Sequence, residues 1–178
     1  MIKISVLGAT GSVGINTLKI IACDKNKYNV IALTSYKNYR KLAKLALMFN
    51  CKYAVIGEEK YFRNLKEELF GSNIKCLAGY KAICEVSSLN VDILISAIMG
   101  IAGLKPTFAS IGNTKILAIA NKESIICAWN LISRKLKKFN TEFIPVDSEH
   151  FSIWYALKDK NIHNINQIFI FRIRCFKQ

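Results

Sequence analysis

Short β-branched runs alternate with longer stretches of helical period along this chain, and that alternation limits its fold more than any other property. Strands are expected at residues 3–7, 30–34, 53–56, 74–77, 93–97, 116–120 and 142–146, with helices at 13–22, 39–49, 61–70, 80–87, 103–111 and 122–139. Strands joined by crossovers of helical length run parallel, so the expected fold class is α/β, a doubly wound parallel sheet covered by helices on both faces. That domain fills residues 1–145, and the character changes after Pro145, with a helical stretch at 151–157 and a further strand at 167–171. The last residues, Arg172 to Gln178, read as an apolar and basic tail without a cap.

Of the 178 residues, 52% are hydrophobic and 21% charged, which excludes a disordered chain. Lys and Arg outnumber Asp and Glu by 26 to 12, a net charge of +14 that could suit nucleic acid. Lys outnumbers Arg 21 to 5, and no lysine run exceeds Lys137-Lys138, so a compositional bias explains the charge and no nucleic-acid partner is expected. The six cysteines form no CxxC pair and no zinc spacing with His150 and His163, as for free thiols in a reducing compartment. The start of the chain lacks the apolar core of a signal peptide, and the longest uncharged apolar run, residues 93–104, is shorter than the ~20 residues of a spanning helix. A cytoplasmic chain without a membrane partner is expected.

The strongest local motif is Gly8-Ala9-Thr10-Gly11-Ser12-Val13-Gly14, set between the first strand and the first helix. Glycines there allow a tight turn and close approach of the backbone to a pyrophosphate, which the helix N-terminus then meets with N–H groups. A plain strand-to-helix turn is the bland alternative. No carboxylate occurs from Lys25 to Gly57, and the second strand ends in Ser35-Tyr36-Lys37-Asn38 with Arg40 and Lys41 close behind. An acid that would bond a ribose 2′-hydroxyl is missing and cations stand in its place, favouring NADP(H) over NAD(H).

Two polar stretches follow later strands. Asn121-Lys122-Glu123-Ser124 comes directly after the strand at 116–120. It can meet an anionic substrate and the cofactor, or simply start a helix with an acid in its first turn. In Pro145-Val146-Asp147-Ser148-Glu149-His150, an extended backbone would turn Asp147 and Glu149 to one side, suited to Mg²⁺ or Mn²⁺. A third ligand is then required, and Asp159 is the one later carboxylate.

Together, the glycine turn, Lys37-Asn38, Ala120-Asn121-Lys122-Glu123-Ser124 and Pro145-Val146-Asp147-Ser148-Glu149-His150 resemble the 1-deoxy-D-xylulose 5-phosphate reductoisomerase family. The resemblance runs to about residue 170 and implies a Rossmann-like NADPH-binding domain at 1–145, with residues 146–178 as the incomplete start of an α+β catalytic, metal-binding domain. It implies that Thr10, Gly11, Ser12 and Val13 hold the NADPH phosphates, that Lys37 and Asn38 lie at the 2′-phosphoribose, and that Asn121 and Glu123 also contact NADPH. Lys122, Ser148 and Glu149 would touch a sugar-phosphate substrate, Lys122 and Glu149 being catalytic, while Asp147 and Glu149 would bind Mn²⁺ or Mg²⁺. The implied reaction rearranges and reduces 1-deoxy-D-xylulose 5-phosphate to 2-C-methyl-D-erythritol 4-phosphate in non-mevalonate isoprenoid biosynthesis, in a homodimer.

Two departures stand out. Tyr36 occupies a position where the family usually has glycine, and after Phe171 the family's Ser-Gly-Gly turn is replaced by Arg172-Ile173-Arg174. The expectation is a truncated chain, interrupted just after residue 171 and not active alone. The alternative is a non-catalytic NADP(H)-binding fragment or pseudogene product.

Overall fold

The computed structural model describes residues 1–158. Within them, β1 (Ile2–Leu7), β2 (Tyr28–Ser35), β3 (Tyr53–Ile56), β4 (Lys75–Ala78), β5 (Val91–Ser96), β6 (Thr114–Ile119) and β7 (Glu142–Pro145) form one sheet. Its order is β4-β3-β2-β1-β5-β6-β7, and every pair is parallel. The helices are α1 (Ser12–Cys23), α2 (Tyr39–Phe49), α3 (Phe62–Glu68), α4 (Gly79–Ser87), α5 (Leu104–Ser110), α6 (Lys122–Phe139) and α7 (Ser148–Leu157). This is a Rossmann-like α/β fold.

Both faces of the sheet are covered, which is why its central strands are apolar at successive positions. Ala118 on β6 joins the core that contains Leu18 of α1 and Leu42 of α2, whereas its neighbours Leu117 and Ile119 pack with Ile132 and Leu136 of α6. On β3, Val55 packs with Ala82, Ile83 and Val86 of α4. The alternation of sides follows the two-residue repeat of a strand.

The strand order reverses direction at β1, with β2 to one side and β5 to the other. Crossovers diverge there and leave a crevice past the carboxyl ends of β1 and β5, the usual ligand position of an open α/β sheet. The register of β1 on β2 slips once, from Ile4 against Val30 to Ser5 against Ala32, so Ile31 is the extra residue of a β-bulge.

Helix boundaries follow their caps. The Asn38 side chain accepts a hydrogen bond from the Lys41 N–H at the start of α2, Asn121 accepts from the Ser124 N–H at the start of α6, and Asp147 accepts from the His150 N–H at the start of α7. Asn50 and Asn140 close α2 and α6 in the left-handed conformation, with φ of 44° and 51°. Within α6, Ala128 leaves helical geometry (φ −139°, ψ 22°), kinking the helix.

The expected strands and helices all occur up to residue 157, with α2 and α6 at their expected limits and two short 3₁₀ turns, Glu59–Tyr61 and Ile101–Gly103, added before α3 and α5. One expectation is corrected. Residues 148 and 149 do not stay extended, because Asp147, the last extended residue, caps α7 and Glu149 falls in its first turn. The expected strand at 167–171, the tail at 172–178, Asp159, His163 and Cys175 lie outside the described residues. Among the described residues no helix is long and apolar enough to cross a membrane.

Candidate functional site

The turn after β1 is built by close approach. Gly8 has φ +80°, and a Cβ there would lie 2.5 Å from the Ala97 carbonyl oxygen past β5. A Cβ on Gly14 would lie 2.5 Å from the Gly8 oxygen and 2.7 Å from the Ala9 Cα, so hydrogen alone fits between helix and turn. The turn is stitched to β2: Gly8 N–H donates to Thr34 Oγ1 (2.9 Å), Ala9 N–H to the Thr34 carbonyl (2.8 Å), and the Thr10 and Ser35 hydroxyls share a hydrogen bond of 2.7 Å. Gly11 is the N-cap of α1 and no side chain caps that end. The first-turn N–H groups, with the positive end of the helix dipole, are therefore left for an anion. The first turn also contains no acidic residue that would repel one.

At the end of β2, Lys37 lies over the Tyr36 ring, 5.3 Å from its centroid. Asn38 is committed to capping α2. Tyr36 itself is 65% exposed and its ring covers Gly57, where an added Cβ would come within 2.9 Å of Tyr36 Cδ2.

On the other side of the crevice, Asn121 is buried and fully engaged. Its Oδ1 accepts from Ser124 N–H (2.6 Å), and its Nδ2 donates to the Ile98 carbonyl and to the Gly100 carbonyl (2.7 Å). One side chain thus caps α6 and holds the loop that leaves β5. Lys122, the first residue of α6, is exposed, and Glu123 beside it is half-buried.

Past β7, Val146 N–H continues the ladder to the Ile119 carbonyl (2.9 Å), which keeps Asp147 on the same rim. Asp147 Oδ1 accepts from His150 N–H (3.0 Å) and Oδ2 meets His150 Nδ1 at 2.6 Å. Partial burial pushes the Asp147 carboxyl up, but the hydrogen bonds from His150 and the charges of His150 and Lys122 outweigh it and hold the group below the usual carboxylate range. Lys122 and Asp147, from different motifs, therefore share one electrostatic neighbourhood.

The family model for 1-deoxy-D-xylulose 5-phosphate reductoisomerase matches residues 4–129. The chain belongs to that family. It is 43% identical to the reductoisomerase of Wolbachia pipientis subsp. Culex pipiens (strain wPip) over 168 residues, 93% of this chain and 43% of that protein. It is 42% identical to that of Pelagibacter ubique (strain HTCC1062), covering 96% of this chain and 44% of the relative. The chain thus spans less than half the length of these reductoisomerases. Among solved structures, the reductoisomerase from Zymomonas mobilis in complex with NADPH superposes with a TM-score of 0.82 at 42% identity, over 83% of this chain and 39% of that one. A reductoisomerase in complex with NADPH, fosmidomycin and magnesium gives 0.83 at 33% identity, over 90% and 41%.

The reductoisomerase motifs thus meet along one rim, in the order set by the strands. Gly8 and Gly14 close the turn because main-chain atoms at 2.5 Å leave no room for a Cβ, and the uncapped N-terminus of α1 beside it is of the kind that suits a dinucleotide's phosphates. Among the described residues no group of three or more His, Cys, Asp or Glu could hold a metal ion, and both Asp147 oxygens already face His150.

Three residues to which the sequence assigned no role emerge at this rim. Thr34 and Ser35 hold the glycine turn, and a hydroxyl pair ending a buried apolar strand was the signal available for them. Glu58, one residue beyond the acid-free window, is brought to Lys37 by the neighbouring strand, with 3.9 Å between Glu58 Oε2 and Lys37 Nζ.

Proposed function

We propose that the chain carries the NADPH-binding part of the reductoisomerase reaction, together with its first substrate contacts. That reaction converts 1-deoxy-D-xylulose 5-phosphate to 2-C-methyl-D-erythritol 4-phosphate and serves non-mevalonate isoprenoid biosynthesis. The observation that carries the reading is the uncapped glycine cradle of α1 beside a β2 end that presents Lys37. In this reading residues 1–145 are the NADPH domain and 146–178 begin the catalytic one. A cytoplasmic setting, a homodimeric assembly and no nucleic-acid partner belong to the same reading.

NADPH, when bound, supplies the hydride. The residues around it bind and orient. Thr10, Gly11, Ser12 and Val13 take its phosphates on main-chain N–H groups and hydroxyls, and Lys37 with Asn38 takes the 2′-phosphoribose. Glu123 meets the cofactor from α6, and Asn121 contributes by holding the 98–100 loop, since both of its amide hydrogens are committed there. Lys122, exposed at the start of α6, offers a point charge to an anionic substrate group, and Ser148 and Glu149 meet the same substrate. Asp147 and Glu149 are the proposed ligands of Mn²⁺ or Mg²⁺, but they do not complete a donor set among the described residues, so no step is drawn through the metal.

Titration of the purified chain with NADPH, followed by cofactor fluorescence, tests the reading. Saturable binding is expected, and its absence overturns the proposal. A second reading, a non-catalytic NADP(H)-binding module, draws support from Asp147, whose two carboxylate oxygens both face His150. Metal-dependent NADPH oxidation on deoxyxylulose phosphate would exclude that module; saturable binding without turnover would favour it.

A further inference from the structure

A carboxylate stands at the basic end of β2, where no acid is present in the local sequence. Beyond the last β2–β3 pair, Gly57 N–H donates to the Ser35 carbonyl (2.7 Å) and Glu58 N–H to the Tyr36 carbonyl (2.9 Å). These two bonds zip the strand ends together past the sheet and bring Glu58 level with Lys37. The Glu58 side chain is only 24% exposed. Its Oε1 takes the Lys60 ammonium at 2.8 Å. Its Oε2 is buried, lies 3.9 Å from Lys37 Nζ and accepts no hydrogen bond among the described residues. Lys37 is therefore held between the face of Tyr36 and a carboxylate.

Position gives this arrangement its meaning. In doubly wound dinucleotide sites the substituent on the adenosine ribose 2′ carbon docks at the end of the second strand, where a carboxylate favours a hydroxyl and a cation favours a phosphate. Here both are present, the cation from β2 and the carboxylate from β3. A 2′-phosphate arriving at Lys37 must compete with Glu58 for that ammonium and accept a second negative charge within a few ångströms, a repulsion that salt screens because Lys37 is exposed. A 2′-hydroxyl carries no charge to repel and leaves the Lys37–Glu58 pair in place.

Resting on the cofactor reading above, we propose that Glu58 is a specificity-determining residue that tempers the preference for a 2′-phosphate over a 2′-hydroxyl by competing for Lys37. Lys60 moderates the effect by occupying the other carboxylate oxygen. The two residues therefore act in opposite directions.

The test is to titrate NADPH and NADH against the full chain, Glu58→Gln and Lys60→Gln by cofactor fluorescence at low and at high ionic strength. Glu58→Gln is expected to bind NADPH about three- to tenfold tighter with NADH unchanged or weaker, the gain shrinking with salt. Lys60→Gln is expected to weaken NADPH about two- to threefold and leave NADH alone, because an unshared carboxylate holds Lys37 more firmly. A Glu58→Gln chain that loses NADPH affinity, or in which both cofactors shift equally, overturns the inference, as does a Lys60→Gln chain that gains NADPH affinity. Unaltered chain that binds NADPH, alongside a variant with an unmoved NADPH-to-NADH ratio, defeats this inference alone. Unaltered chain that binds neither cofactor defeats the cofactor reading as well. Far-ultraviolet circular dichroism of each variant separates misfolding from lost recognition, and Lys60→Gln, altering an exposed side chain, keeps the question answerable if Glu58→Gln does not fold.

Discussion

At the scale of single residues, the site depends on atoms that are missing. Gly14 lies in the first turn of α1, where alanine would ordinarily be the better helix former by up to ~1 kcal/mol. Its neighbours at 2.5 and 2.7 Å are main-chain atoms of Gly8 and Ala9 that cannot swing aside, so overpacking outweighs propensity. Gly14→Ala is expected to destabilise the chain by about 1–3 kcal/mol in urea unfolding and to weaken NADPH at least ~tenfold. Asn121 makes the converse case, a side chain with every arm in use. Asn121→Ala should cost about 1–3 kcal/mol from the lost cap and the two orphaned carbonyls. Asn121→Asp keeps the cap but sets an anion against the Ile98 and Gly100 oxygens, so it should cost more than alanine; equal stability of Asn121→Asp and the unaltered chain would refute this geometry. Cys51, buried and with its thiol pushed up to about 12 by desolvation, should resist alkylation at pH 8 while exposed Cys23 and Cys127 react. The sign for stability follows: a thiol whose folded value lies above its unfolded one stabilises the fold below about pH 8.5, and that contribution is lost as pH rises toward 12.

At the scale of elements, caps decide where helices begin and end, and caps are local enough to read from sequence. The limits of α2 and α6 were legible because Asn38 and Asn121 stand before long amphipathic runs and Asn50 and Asn140 stand after them. Asn140→Gly should therefore leave stability within about 0.5 kcal/mol, whereas Asn140→Val, which resists positive φ, should cost ~1 kcal/mol or more in thermal unfolding. The helix expected at 151–157 begins three residues earlier, at Ser148, because Asp147, a residue that also suits a metal-ligand reading, acts as its N-cap. Its carboxyl, held low chiefly against the opposing effect of burial, adds stability that is present above about pH 4 and fades as pH falls through the depressed value. Asp147→Asn should accordingly flatten the acid limb of a stability-versus-pH profile. What could not be read locally was the meeting of Glu58 with Lys37, since that depends on β3 lying beside β2, and strand order is a property of the whole sheet.

At the scale of the whole molecule, the glycine turn of β1, the hydroxyl pair of β2 and the caps of α6 and α7 converge on one rim because all seven strands run the same way. A ligand that binds only this assembled rim stabilises the fold by mass action. NADPH at 100 times its dissociation constant should add about 2.7 kcal/mol, raising the midpoint of thermal unfolding by roughly 5–10 °C. A chain whose midpoint ignores NADPH does not bind it in the folded state. The bulge at Ile31 acts at this scale too. Had the register of Ile4 against Val30 continued, Val6 would face Ala32, whereas it faces Leu33. The slip shortens the reach of β2 by one residue, about 3.3 Å. Thr34 is thereby drawn back to where its hydroxyl meets Gly8, and Lys37 stands one residue less far beyond the turn. A surplus residue near the base of the sheet thus works as a ruler, setting at the rim the gap that a molecule with two phosphate-bearing ends would have to bridge.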